Sequence, residues 1–426
     1  MKILKIIHGY PPLYSAGSEV YSQSICDELA KRHKVLVFTR EENPFAPDFS
    51  VRQASNGTGP ERILVNIPRG KDGYRHAELD NRFTEVLHRF RPDVAHIGHL
   101  NHLSTGIVDV LRGAGIPIVF TLHDFWLMCP RGQFLHRNFG GGVVHALCEG
   151  QEDRKCATAC YTSLMSGAEG ANEQDVAYWT SWIARRMSET REIRDHVDLF
   201  IAPSKYLRNR FISDFGLPAG KVVQLDYGFP LHYLTPSKDR VPSARYRFGY
   251  IGTHIPAKGV NLLIEAFDGL GEVAELHIWG AKDEQSTRAL RSMSEARSGI
   301  HFHGPYVNHN LANEVFSQVD CIVVPSIWME NSPLVIHEAQ ACHIPVITAN
   351  AGGMAEYVAH QVNGLLFEHR SAESLRDRIH WAIDHPDRME HFGRRGYLHA
   401  ADGAIPGIVE HCKSLEDIYA QLIKTP

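Results

Sequence analysis

Two carboxylates, Glu330 and Glu338, stand eight residues apart in Ser326-Ile327-Trp328-Met329-Glu330-Asn331-Ser332-Pro333-Leu334-Val335-Ile336-His337-Glu338. The apolar run Cys321 to Val324 ahead of them, closed by Pro325, has the pattern of a buried strand. Ser332 followed by Pro333 predicts a helix start, with the Ser as N-cap and the Pro at the first helical position. Glu330 then lies just before the helix and Glu338 about six residues inside it, ~9 Å along the axis. Between them the amides of Leu334 and Val335 lack intrahelical acceptors and sit at the positive end of the helix dipole. Carboxylates accept from hydroxyls and an open helix end attracts an anion, so the stretch suits a ligand that is part phosphate and part polyol.

Other residues of the right chemistry follow strand ends. Lys258, in Gly252-Thr253-His254-Ile255-Pro256-Ala257-Lys258-Gly259, comes after the apolar run Phe248–Ile251 and begins a predicted helix with Leu262, Leu263 and Phe267. From there an ammonium can reach a phosphate held at the strand end. His123, in Thr121-Leu122-His123-Asp124-Phe125-Trp126, follows directly from a buried strand. Ala16-Gly17-Ser18-Glu19 lies between strand Ile3–Ile7 and a helix with Tyr21, Ile25 and Leu29, and Gly17 lets the backbone approach a phosphate or acceptor. His96, His99 and His102 are evenly spaced where another strand ends; they suit a cleft lining, a metal or a plain surface. Cys129, Cys148, Cys156 and Cys160 suit zinc, an iron–sulfur cluster or unpaired thiols, although their spacing is not that of paired C-x-x-C ligands. Tyr178, Trp179, Trp182, Arg185 and Arg186 on a predicted helix suit lipid headgroups, a carrier diphosphate or packing on the domain.

The elements that must position these residues alternate along the whole chain. Strands are expected at Ile3–Ile7, Val35–Thr39, Ile63–Asn66, Val94–Ile97, Pro117–Thr121, Asp198–Pro203 and Val222–Leu225, with helices from His76, Leu103 and Ser204. After a polar linker, Thr235–Arg245, the alternation resumes with strands at Phe248–Ile251, Ala274–Trp279, Ile300–His303 and Pro345–Thr348. Such βαβα order predicts doubly wound parallel sheets, whose ligands gather at the carboxyl ends of strands. Gly113-Ala114-Gly115 precedes a strand instead of following one, which counts against a dinucleotide fingerprint and a dehydrogenase. Gly304-Pro305-Tyr306 suits a turn beside a nucleobase, and Ala351-Gly352-Gly353 a tight turn that brings amides to a ligand.

Composition narrows the class. At 426 residues two domains are the default. With 43% hydrophobic and 22% charged residues the chain can bury a full core, and a net charge of −5 argues against a nucleic-acid partner. The eight cysteines fit a reducing compartment, and no apolar run is long enough to span a membrane. Cytoplasmic residence is expected, with peripheral contact at the inner membrane face left open.

In family order, the Ala16-Gly17-Ser18-Glu19 loop, His123-Asp124 after a strand, Gly252 to Gly259 and the Glu330–Glu338 pair resemble the motifs of retaining GT-B glycosyltransferases, in particular glycosyltransferase family four. Glu330 and Glu338 match its EX7E motif. Three positions depart from the pattern: Ala16 replaces a glycine, Thr253 stands where an Arg is usual, and Pro333, which donates no amide, occupies a glycine place. The resemblance implies two Rossmann-like domains facing a cleft, about residues 1–230 (with a final helix at 410–426 packing back) and 240–409. It implies transfer of a sugar from a nucleoside diphosphate to a hydroxyl of a sugar, lipid-linked or small-molecule acceptor, in cell-surface polysaccharide, glycolipid or secondary-metabolite biosynthesis. His123, Glu330 and Lys258 are then the catalytic residues. Gly17, Thr253, Lys258, Glu330, Asn331, Ser332, Leu334 and Glu338 bind the donor, with Glu330 on sugar hydroxyls and Glu338 on the ribose. His99 and His102 lie on the acceptor side. With Thr253 for Arg, one diphosphate cation is missing, and Arg131 or Arg137 are substitutes. No D-x-D triplet occurs, which fits a site with no cofactor and no divalent metal. A non-catalytic nucleotide-sugar-binding or scaffold subunit, and a GT-B epimerase or phosphorylase, are the other classes.

Overall fold

The computed structural model describes the chain except residues 56–58, 68–72, 137–144, 163–171, 237–242, 281–283 and 425–426. Two compact units form, one from Met1–Gly228 with Ile408–Pro426 and the other from Phe229–Gly407. The division falls ahead of the polar stretch at 235–245, because Phe229 already belongs to the second unit through its backbone bond to Pro406.

The first unit contains β1 (Lys2–Ile6), α1 (Gly17–Leu29), β2 (Lys34–Glu41), β3 (Val51–Ala54), β4 (Glu61–Asn66), α2 (Ala77–Phe90), β5 (Val94–Ile97), α3 (Gly106–Gly113), β6 (Ile118–Thr121), α4 (Asp153–Cys156), α5 (Glu173–His196), β7 (Leu199–Ala202), α6 (Lys205–Ser213) and β8 (Val222–Gln224). Its sheet runs β3-β4-β2-β1-β5-β6-β7-β8 and is parallel except for β3, an antiparallel edge strand. The central strands read as near-continuous apolar runs because helices cover both faces. α2 shows the expected periodicity, burying Leu79, Phe83, Val86, Leu87 and Phe90. Two readings change. The strand β3, Val-Arg-Gln-Ala, carries too short an apolar pattern to be seen in sequence. Helix α3 starts at Gly106 instead of Leu103, since the Leu103 amide closes a turn on Leu100 and the Ser104 hydroxyl accepts from the Gly106 amide.

The terminal helix, Ile408–Lys424, completes this unit by packing on α1. Tyr419 and His411 are buried beneath it: the Tyr419 hydroxyl pairs with His96 Nδ1 at 2.6 Å, and His411 Nε2 pairs with the Tyr21 hydroxyl at 2.8 Å. His96 therefore lines neither a cleft nor a metal site; its other nitrogen meets the Thr121 hydroxyl at 2.7 Å and it is fully buried.

The second unit contains β9 (Tyr246–Ile251), α7 (Val260–Ala266), β10 (Ala274–Trp279), α8 (Glu284–Ser294), β11 (Ile300–Gly304), α9 (Leu311–Glu314), β12 (Cys321–Val324), α10 (Leu334–Ala341), β13 (Val346–Ala349), α11 (Met354–Tyr357), β14 (Gly364–Phe367), α12 (Ala372–Asp384) and α13 (Pro386–Arg395). Its sheet, β11-β10-β9-β12-β13-β14, is parallel throughout. Among the described residues no helix is long and apolar enough to cross a membrane.

Candidate active site

In a doubly wound sheet the strand order reverses at one point, and the loops on either side of it diverge to leave a crevice. In the second unit that point lies between β9 and β12. The loop after β9 carries Lys258 and the loop after β12 carries Glu330, so topology alone brings together residues 72 positions apart. Local packing then sets the distance. Gly259 adopts φ +70°, and a methyl group on it would lie 2.0 Å from the Pro325 carbonyl, so the two loops touch backbone to backbone. The Ile327 amide donates to Ala257 O at 3.0 Å. Lys258 Nζ consequently meets Glu330 Oε1 at 2.6 Å, and the Ser326 hydroxyl donates to the same oxygen at 2.6 Å. Trp328 packs near the ammonium, its ring centroid 5.7 Å away.

Lys258 does not begin the helix. It closes a 3-10 turn, Pro256–Lys258, and α7 starts after Gly259 at Val260. Thr253, half-buried in the same loop, has its carbonyl bonded by the Tyr250 hydroxyl at 2.7 Å.

The start of α10 also differs from the sequence reading. Pro333, with ψ 117°, is the N-cap and Leu334 the first helical residue, so the helix begins one residue later than Ser332 as N-cap would place it. A proline before the helix has no N–H to lose, and its extended ψ directs the chain into the first turn. The Ile336 amide is spent on Pro333 O at 3.1 Å, while the amides of Leu334 and Val335 have no intrahelical acceptor. Asn331 and Ser332 are buried beside them. The glycine turn after β13 supports the loop: the Gly353 amide donates to Glu330 O at 2.7 Å, and a methyl group on Gly353 would fall 1.3 Å from Asn331 O.

Glu338 lies one turn into α10, half-buried, and its carboxylate meets no hydrogen-bond donor among the described residues. Burial pushes its pKa up to about 7, against a small opposing pull from His337. Tyr233 and Tyr306 stand close enough for their own hydroxyls to feel its charge; both are pushed up, first by burial and then by Glu338. A carboxylate held this way is an acceptor with open lone pairs beside an open helix end.

The first unit has an equivalent reversal between β1 and β5. Three histidines lie two residues beyond the ends of β1, β5 and β6: His8, His99 and His123. The rings of His8 and His99 are 4.6 Å apart, and His99 Nε2 lies 3.3 Å from Asp124 Oδ2. Gly17 opens α1, whose first turn sends the buried Glu19 to within 3.4 Å of His8 Nε2. His123 Nδ1 pairs with the Tyr227 hydroxyl at 2.6 Å, leaving Nε2 buried with no partner among the described residues. Burial, followed by neighbouring charges, holds both His8 and His123 well below the usual imidazole range, so both are neutral at pH 7. His102 is exposed on a turn with φ +59°, near enough for its charge to act on His8.

Sequence reasoning missed His8, Ser326 and Tyr227. Position just past a strand end could have flagged His8; nothing local marks Tyr227, which is 104 residues from its partner. Of the two arginines named as substitutes for a second diphosphate cation, Arg131 lies 5.8 Å from the Tyr161 ring centroid in the first unit, and Arg137 lies outside the described residues. Of the aromatic-basic cluster on α5, Trp179 and Arg186 are buried, Trp182 packs on Tyr161, and Tyr178 and Arg185 are exposed.

Two doubly wound α/β units, each with polar side chains at its reversal point, define the GT-B architecture of enzymes that act on nucleotide sugars. The chain belongs to glycosyltransferase family 4: residues 15–233 match the Glycosyltransferase Family 4 model and residues 235–399 the Glycosyl transferases group 1 model. It is similar to D-inositol 3-phosphate glycosyltransferases, at 28% identity over 86% of this chain and 76% of the Mycobacteroides abscessus protein. Against that of Xylanimonas cellulosilytica it is 31% identical over 39% of this chain, and that match spans only 40% of the relative's length. Among solved structures, sucrose-phosphate synthase from Thermosynechococcus elongatus aligns over 100% of both chains with a TM-score of 0.72 and 18% identity. An Anabaena protein, HepE, in complex with UDP and glucose, aligns over 99% of both with a TM-score of 0.67 and 17% identity.

Proposed function

We propose that the protein is a retaining hexosyltransferase that moves a sugar from a nucleoside diphosphate to a hydroxyl of a sugar, lipid-linked or small-molecule acceptor, in polysaccharide, glycolipid or secondary-metabolite biosynthesis. One observation carries the reading. The unpartnered Glu338 carboxylate, the open amides of Leu334 and Val335, and the Lys258–Glu330 pair follow one another around the end of α10. That sequence of acceptor, anion site and cation matches ribose, diphosphate and transferred sugar in order. The named relatives act on an inositol phosphate, a hydroxyl-rich acceptor of the kind proposed.

The leaving diphosphate gains negative charge as the sugar departs, and preoriented donors stabilise that charge without reorganisation. Lys258 and the α10 amides take this role, so no divalent ion and no cofactor is needed. Glu330 spends one oxygen on Lys258 and Ser326, and its other oxygen accepts from sugar hydroxyls. His123, neutral and with Nε2 unpaired, is suited to hydrogen-bond a hydroxyl without adding charge. Attack from the face the leaving group vacates gives retention without a protein nucleophile.

The deciding experiment titrates UDP, GDP, ADP and dTDP against the protein in EDTA by calorimetry, beside Glu338→Gln. One nucleotide should bind to the wild type, and the variant should bind it about tenfold more weakly because an amide replaces a double acceptor with a donor and an acceptor. Equal binding by both would remove Glu338 from the site. A scaffold subunit, favoured by Thr253 in place of a cation, would bind the nucleotide but release none of it from the matching nucleotide sugar.

A further inference from the structure

Four cysteines that the donor site does not use converge in the first unit. Cys129 follows β6; Cys148 follows a short bridge between Leu135 and Leu147; Cys156 ends α4; and Cys160 lies one turn on, in a π-helical turn. All four line one cavity, closed by Phe134, Leu135 and Tyr161. All four are free thiols, and all but Cys148 are buried. We propose that Cys129, Cys148, Cys156 and Cys160 bind a zinc ion that holds this insertion together.

Three observations support a metal-bound thiolate cluster over four packed thiols. The first is the turn Cys129-Pro130-Arg131-Gly132-Gln133-Phe134, closed by the Gly132 amide donating to Cys129 O at 2.9 Å, which sets Cys129 and Phe134 together on the cavity wall. Gly132, at φ +78°, makes the turn possible.

The second observation is charge. Arg186 is 2% exposed and forms no salt bridge to a carboxylate among the described residues. Its guanidinium donates to Trp126 O at 2.7 Å and stacks on the Trp126 ring at 4.5 Å. A buried cation without a counter-charge is costly, and zinc bound to four thiolates carries a net charge of −2 beside it.

The third is packing. Cys156, Ala157, Cys160 and Tyr161 form one buried cluster with Trp179, Ile183 and Met187 of α5. An ion there would tie the irregular chain after β6 to the longest helix of the unit. Among the described residues the only three ligand atoms within 4.8 Å of one another belong to Glu275, His277 and His301. The four sulfurs thus stand wider than the ~3.8 Å separation that Zn–S bonds of ~2.3 Å impose on a tetrahedron. Binding draws the segments that carry Cys148 and Cys156 inward, breaks four S–H bonds, forms four Zn–S bonds and releases four protons to water. The ion is structural; it has no part in the donor site of the other unit.

The test uses the full chain purified without a tag or chelator. Elemental analysis should give about one zinc per chain, and cobalt added to the metal-free protein should show thiolate charge-transfer and tetrahedral d–d bands. Cys156→Ser with Cys160→Ser should lose the zinc, whereas Cys321→Ala, in the other unit, should keep it. If the double variant does not fold, the cobalt spectrum of the wild type decides. Less than about a tenth of an equivalent of zinc with no cobalt bands, disulfides among these cysteines by mass spectrometry, or bound iron with labile sulfide would each overturn the proposal.

Discussion

Lys258 has a partner before any ligand arrives. Its ion pair with Glu330 fixes the ammonium at the reversal point of the sheet and leaves two of its three N–H donors for phosphate. Lys258→Ala should therefore lower turnover by about 10²–10³ while leaving the melting temperature nearly unchanged, because the ammonium is part-exposed. Steady-state kinetics beside a thermal melt checks it; full activity would remove Lys258 from catalysis. Glu338 makes a different prediction, in pH. With its pKa raised to about 7, the free protein gains a proton there on mild acidification. Ribose hydroxyls donate to the ionised form, so nucleotide binding competes with that proton. Affinity should fall between pH 8 and pH 6, by up to about tenfold per unit below the pKa. Glu338→Gln, which cannot titrate, should show a shallower slope in the same calorimetric series.

The donor site depends on how three loops seat on one another, and at the level of elements the glycines carry that. Gly353, where a methyl group would meet Asn331 O, presses the turn after β13 against the Glu330 loop. Gly353→Ala should displace Glu330, cost about 1–3 kcal/mol of stability and reduce turnover at least in proportion to the loss of the Lys258–Glu330 pair. Gly113→Ala, at the end of α3 with nothing within 4 Å of the added methyl, is the control and should be neutral or slightly stabilising. Chemical denaturation of both variants against the wild type separates the two expectations. The terminal helix acts by the same logic in the first unit: its Tyr419 and His411 satisfy His96 Nδ1 and the Tyr21 hydroxyl, both buried polar atoms.

At the scale of the molecule, burial of neutral histidines ties stability to pH. His8, His96, His123 and His411 all belong to the first unit, and burial holds all of them below the usual imidazole range. The unfolded chain binds protons at these positions near pH 6.5 and the folded chain does not, so stability is full above that pH and is lost as pH falls. His411, lowered from 6.5 to about 4, alone contributes a loss on the order of 3 kcal/mol by pH 4. The melting temperature should drop steadily from pH 7 to pH 5. Loss of the near-ultraviolet dichroism of the tryptophans Trp126, Trp179 and Trp182, all in the first unit, should accompany it; a flat profile would show these histidines to be solvated.

The alternation of apolar runs and amphipathic helices determined the two parallel α/β units, because strand burial and helix periodicity are written in residues near one another in the chain. The same local rules placed His123, Lys258 and Glu330 at strand ends. They could not show that Lys258 reaches Glu330, that Gly353 spends its amide on the Glu330 carbonyl, or that His96 is covered by Tyr419. Each of those pairings joins segments 23 to 323 residues apart, and sheet order, not local pattern, decides which strand ends become neighbours. The helix start at Ser332-Pro333 failed for a smaller reason: a proline with extended ψ can stand as N-cap as readily as at the first helical position. The Glu330–Glu338 spacing was legible from the first, but the open carboxylate at one end and the ion pair at the other are products of tertiary packing, which sets burial and hence charge.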